Sequence, residues 1–254
     1  MDSELTVAQQ PLTPERKGIA PAWHTILLLV VLIAFSLGNA SATHHATTSK
    51  GRIAGYLLTM AWEYVLLGYV VWGAWLRKVS FRELVGGRWS KMEDFLVDVM
   101  FAAGFLVAWL FLVGSVVLAL KGLHLMDFSP GAQAHQLEDA KRQIGFLAPR
   151  TNIEMWIFLA LSATAGLCEE VVFRGYLQRQ FSAWTSNVWI GIVLSGIVFG
   201  AGHGYEGVRR MIMIAFFGMA FGILAHVRKS LRPGMIAHGS WDALAGLLMR
   251  VLMK

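Results

Sequence analysis

The 254-residue chain is 56% apolar and 15% charged, with ten tryptophans, a mean hydropathy of +0.55 and a formal net charge of +6. So little charge cannot coat a water-soluble domain of this length, which excludes an ordinary soluble enzyme. The basic residues stand at the ends of apolar runs, as headgroup anchors do, and not along one face as a nucleic-acid surface would require. A single cysteine, Cys168, excludes an internal disulfide framework.

Residues 1–20 are polar and read as an N-terminal tail, and residues 21–254 read as a membrane-embedded domain. A helix needs about 20 apolar residues to cross ~30 Å of hydrocarbon. Runs of that kind occupy 21–38, 53–76, 95–120, 153–182, 187–204, 208–227 and 234–252. The expected fold class is therefore all-α, a polytopic membrane helix bundle of about seven transmembrane helices, or eight if residues 122–150 add a short or re-entrant one. Within that segment, Ala134 to Ile144 fits either an amphipathic surface helix or a solvated loop. In the first run, Arg16 and Lys17 precede an apolar core that ends at Ala40-Ser41-Ala42, the outline of a signal peptide; the long polar tail ahead of it favours an uncleaved helix.

The joins set an orientation. Arg77, Lys78, Arg82, Arg88 and Lys91 follow the second run, and Arg228, Lys229 and Arg232 follow the sixth. Alternating helices put both on one side with Arg16 and Lys17, so the N-terminus is expected inside.

Ionisable side chains inside such runs are costly, ~2.5–3.5 kcal/mol each at the bilayer centre on insertion scales, and usually mark a site. Three motifs stand out: Glu169-Glu170-x-x-x-Arg174, Phe199-x-x-x-His203 and His238-x-x-x-Asp242. Helical residues four apart share a face, so Glu170 and Arg174 are expected to pair, leaving Glu169 as the free carboxylate and candidate general base. Taken singly, each motif has a plainer explanation: a helix cap for the two acids, an interfacial side chain for His203, and a buried hydrogen bond for His238 and Asp242. Together, all on apolar segments, they form a set able to split water. Glu169 would take the water's proton, His203 would hold or polarise the water, and His238 would donate to the oxyanion. Asp242 would orient His238, and Phe199 would pack. No serine or cysteine makes a convincing nucleophile; a buried Cys168 behaves as a small apolar residue. Glu169, His203, His238 and Asp242 would also serve as a ligand set for zinc or another divalent ion, and no His-Glu-x-x-His helix is present.

These residues resemble the CAAX-processing and bacteriocin-processing (CPBP, or Abi) family of intramembrane proteases. The likeness lies in Glu169-Glu170-Val171-Val172-Phe173-Arg174-Gly175-Tyr176-Leu177, in Phe199 to His203, in Phe217-Gly218-x-x-x-Gly222 and in His238 to Asp242. It covers about residues 153–250. The resemblance implies a membrane protease core with a water-accessible cavity, a glutamate at the position of Glu169 that activates water, and histidines at 203 and 238 that assist. It implies a peptide or protein substrate, lipid-modified in the prenyl-protein branch, and leaves metal dependence open. One departure is Asp242, where the prenyl-protein branch has asparagine. An ionised aspartate cannot donate a hydrogen bond, which favours a prokaryotic branch and a bacterial cell membrane.

Straight alternating helices raise a difficulty. His238 would lie ~6 Å from the inner surface, and Glu169 and His203 ~20–24 Å from it. These residues meet only if a helix breaks, tilts or is re-entrant. The reading favoured is an intramembrane endopeptidase cutting near a substrate terminus or the membrane surface. A non-catalytic scaffold or bacteriocin self-immunity protein is the alternative, and a proton-relaying transporter a third; no paired broken helices support the last.

Overall fold

The computed structural model describes residues 18–42, 48–125, 127 and 129–253, and these are all-helical. Residues 1–17 of the expected tail lie outside the described residues. Residues 18–20 are described, and the Ala20 N–H and C=O both bond the Gln180 side chain, at 3.1 Å each.

The elements are α1 (Ala22–Ala42), α2 (Ser49–Trp75), α3 (Phe81–Val85), α4 (Met92–Gly122), α5 (Pro130–Ile144), α6 (Asn152–Glu169), a π-helical segment Glu170–Gln178, α7 (Arg179–Thr185), α8 (Val188–Gly202), α9 (Val208–Arg228) and α10 (Arg232–Leu252). Side-chain oxygens cap the starts where the sequence offers them: Thr48 for α2, Ser80 for α3, Ser129 for α5, Thr151 for α6 and Asn187 for α8. Ser129 with Pro130 begins α5 ahead of the amphipathic stretch expected from Ala134.

Among the described residues, four helices are long and apolar enough to cross a membrane: α2, α4, α9 and the continuous Asn152–Thr185 rod formed by α6, the π segment and α7. Shorter apolar helices cover Ala22–Ser36 and α8. The exposed apolar side chains, among them Phe111, Leu118 and Met100 of α4, fit a surface solvated by lipid.

The central rod organises the bundle. On one side α2 packs against α6; on another α10 packs against α6 and α4; α8 returns antiparallel to the rod and pairs with α9. The main core gathers Val171, Val172, Tyr176 and Leu177 of the π segment with Leu28 and Leu32 of α1 and Val70 and Ala74 of α2. A second, aromatic core joins Phe217 and Phe221 of α9 to Phe105 and Trp109 of α4.

The basic joins gather at one end. Leu231 N–H bonds Val85 O at 2.9 Å, Arg179 Nη1 bonds Glu83 O at 3.0 Å, and Asp98 of α4 receives both Arg228 and Arg232. This end also resolves the depth difficulty. Leu84 and Leu231 both lie against Gly175, so the turn between α9 and α10 meets the rod well short of α7. The rod has 34 residues, roughly 51 Å at 1.5 Å per residue, and overshoots the ~30 Å core. The sequence-based estimate failed because it set every turn at one level.

Candidate active site

The π segment sits where the rod is most buried; all nine of its residues are buried. A π turn widens the helix by one residue and is found most often at functional sites. Its side chains are tied to every neighbour. Tyr176 Oη lies 2.7 Å from His24 Nδ1 and 3.0 Å from Thr25 Oγ1 on α1. Ser195 of α8 donates to Phe173 O at 2.6 Å. Arg174 and Gln178, four apart, donate to Gly218 O at 2.9 Å and Gly222 O at 3.1 Å on α9. Those two glycines let the long polar side chains reach backbone.

Glu170 and Arg174 form a fully buried ion pair, Oε1 to Nη1 at 2.8 Å. The guanidinium also rests on the rings of Phe199 and Phe221, with Cζ 4.4 and 5.1 Å from their centroids. Glu170 Oε1 accepts a second bond, from His238 Nδ1 at 3.1 Å. That oxygen already accepts from Arg174, so the histidine nitrogen is the donor. The other ring nitrogen of His238, Nε2, faces Glu169 Oε2 at 3.4 Å and Asp242 Oδ2 at 3.7 Å. Glu170 therefore contacts one ring nitrogen of His238, and Asp242, the residue expected from the sequence to orient it, lies near the other.

Glu169 has the opposite environment from its neighbour. Its side chain is 14% exposed, and Oε2 accepts no hydrogen bond from any donor among the described residues. At Glu169 α6 passes into the π segment, and the chain turns the two adjacent acids to different partners.

His203 caps the end of α8, held by Gly202, Gly204 and a short 3-10 turn, Gly204–Glu206. Its Nδ1 donates to Phe199 O at 2.9 Å, so Nε2 is the ring nitrogen not committed to that bond. The ring of Phe199 stands between the histidines, 4.9 Å from His203 and 5.8 Å from His238 by centroids. Asp242, a third exposed, interacts electrostatically with Glu169, His203 and Glu206 as well as His238. The structure thus gathers Glu169, Glu170, Arg174, His238 and Asp242 by direct contact and reaches His203 through Phe199. Among the described residues, no group of three or more His, Cys, Asp and Glu side chains is disposed to hold a metal ion.

Three neighbours were not singled out from sequence. Glu63 of α2, 6% exposed, has its carboxyl within hydrogen-bonding reach of Glu169. Tyr205 and Glu206 lie in the turn after His203, and Tyr205 faces Glu169, Asp242 and Glu63 electrostatically. Glu63 carries the same signal as the motifs, an ionisable residue in mid-run, but no motif drew attention to α2. Cys168 is buried beside these acids and makes no hydrogen bond that would mark it as a nucleophile.

The family model for the type II CAAX prenyl endopeptidase Rce1-like proteins matches residues 151–244. No curated protein and no solved structure matches the chain. The matched segment runs from the N-cap of α6 past Asp242 and holds every group of the site except Glu63. Over that segment the chain is similar to the Rce1-like CAAX proteases, and its long apolar helices make it an integral multi-pass membrane protein.

Proposed function

We propose that the protein is an intramembrane endopeptidase that hydrolyses a peptide bond with a water activated by Glu169. The carrying observation is the contrast between adjacent acids: Glu170 is fully buried with both Arg174 and His238 on its Oε1, while Glu169 is 14% exposed and, among the described residues, its Oε2 takes no hydrogen bond. A carboxylate so placed can accept the water's proton and return it to the leaving nitrogen. His203 has Nε2, the nitrogen not committed to Phe199 O, on the same side, where it can polarise the water. His238 Nε2 points between Glu169 and Asp242, and as an imidazolium it donates to the oxyanion; the charge is balanced by Glu170, Glu169 and Asp242.

The substrate on this reading is a membrane-borne peptide or protein, cut near its terminus or near the membrane surface. We also propose that α1, α8 and α10 join the four long apolar helices in crossing the bilayer. The basic end then faces the cytoplasm of a bacterial cell.

Cleavage of a panel of prenylated and plain peptides by the purified chain in detergent tests this. Glu169→Gln should abolish cleavage, and a chelator should leave wild-type cleavage unchanged. Loss with chelator, restored by zinc, would replace the carboxylate mechanism with a metal-dependent one. Equal cleavage by wild type and Glu169→Gln would overturn the proposal and return the chain to a scaffold or self-immunity role.

A further inference from the structure

Glu63 stands outside the segment that matches the family, in the middle of α2, and a carboxyl there has no packing rationale. It is 94% buried by its 6% exposure, and its Oε2 finds no N–H or hydroxyl donor among the described residues. An apolar side chain would fill the place at lower cost, since a carboxyl at membrane depth is expensive. What Glu63 does meet is Glu169: the two carboxyls are within hydrogen-bonding reach, with Asp242 and Cys168 nearby and no cation paired to Glu63 among the described residues. Two ionised carboxylates cannot share so small a space, whereas an acid and a carboxylate joined by one proton attract.

We propose that Glu63 is a positioning residue for Glu169. Its carboxyl donates one hydrogen bond to the Glu169 carboxylate and turns the remaining lone pairs of Glu169 toward the water. In this way α2 supplies part of a site whose other groups all come from the rod, α8 and α10. The inference rests on Glu169 acting as the base, and the two can fail separately.

The first arm needs no substrate. A double-mutant cycle with Glu63→Leu and Glu169→Leu is read by thermal unfolding of the full chain in detergent. The hydrogen bond predicts that the double variant's Tm lies above the value that the two single changes give by addition, whatever the sign of each, with Glu63→Gln close to wild type because its amide still donates. Additive changes, or a double variant whose Tm falls below the sum as relieved repulsion requires, would overturn the proposal. The second arm is cleavage of the peptide panel. Glu63→Leu should lower kcat by roughly a hundredfold with KM unchanged, the scale of a displaced general base, and Glu63→Gln should recover most of it. Wild-type kcat in Glu63→Leu, or no recovery in Glu63→Gln, overturns the positioning role. If Glu169→Gln still cleaves, the base assignment falls instead, whatever the cycle gives.

Discussion

Glu170 Oε1 accepts a hydrogen bond from His238 Nδ1 at 3.1 Å, joining residues 68 positions apart. This contact decides which nitrogen of the ring is available: with Nδ1 committed, Nε2 is the one left facing Glu169 and Asp242. Glu170 therefore holds the tautomer and direction of the His238 ring, as a carboxylate bonded to one imidazole nitrogen does.

Arg174 offsets the burial of Glu170 in this place. Arg174→Leu strands a buried carboxylate, and removing one partner of a buried pair costs about 3–5 kcal/mol. Thermal unfolding in detergent should show a large fall in Tm. Arg174→Lys keeps the charge but not the two-pronged reach to Glu170 and Gly218 O, and an intermediate loss is expected.

Asp242 lies against the working nitrogen of His238, 3.7 Å away and partly exposed. An asparagine there supplies an amide that can donate to an oxyanion, so Asp242→Asn should keep cleavage within about tenfold of wild type. Asp242→Ala removes both the balancing charge and any donor, and a loss of about 10²-fold in kcat is expected. Steady-state rates on one cleaved peptide compare the two.

Gly166 sets how closely α10 approaches α6. A Cβ at that position would stand 2.7 Å from both Met235 O and Gly239 N. Backbone cannot yield as a flexible side chain can, so Gly166→Ala should push α10 away and loosen the His238–Glu170 contact. The expected outcome is a lower Tm together with a fall in kcat, because the displaced helix carries both His238 and Asp242.

A control lies at the far end of the rod. Arg52 of α2 binds Glu154 through Nε and Nη2 at 3.0 Å each, Ser49 Oγ bonds the same carboxylate, and Arg150 N–H adds a fourth contact at 2.7 Å. Glu154 lies roughly 22 Å along the axis from Glu169 at 1.5 Å per residue. Glu154→Leu should cost stability on the scale of about 3–5 kcal/mol while leaving KM and kcat of the folded protein near wild type. A change in kcat without loss of stability would contradict this separation.

Much of the architecture could be read from the chain. The apolar runs at 53–76, 95–120 and 208–227 fall on α2, α4 and α9, since a helix in lipid must satisfy its backbone internally and declare its length in apolar residues. The run at 153–182 foretold the rod but not its π segment, because the extra residue per turn follows from burial on all sides and leaves no periodic trace. Glu63 was missed for a related reason: one acid in an apolar run has no partner in its own helix.

The sequence by itself determined that this is an all-helical membrane protein and which residue types would carry chemistry, because the cost of an ionisable group in hydrocarbon does not depend on the fold. It also determined the Glu170–Arg174 pair, which lies within one helix and needs only helical spacing. Only the tertiary structure decided that Glu170 also holds His238, that Phe199 stands between the two histidines and that Glu63 reaches Glu169. Those relations depend on the depth at which neighbouring helices meet. That depth is set by the overshooting rod, by the turn seated at Gly175 and by the close approach at Gly166, none of which a local pattern of residues can express.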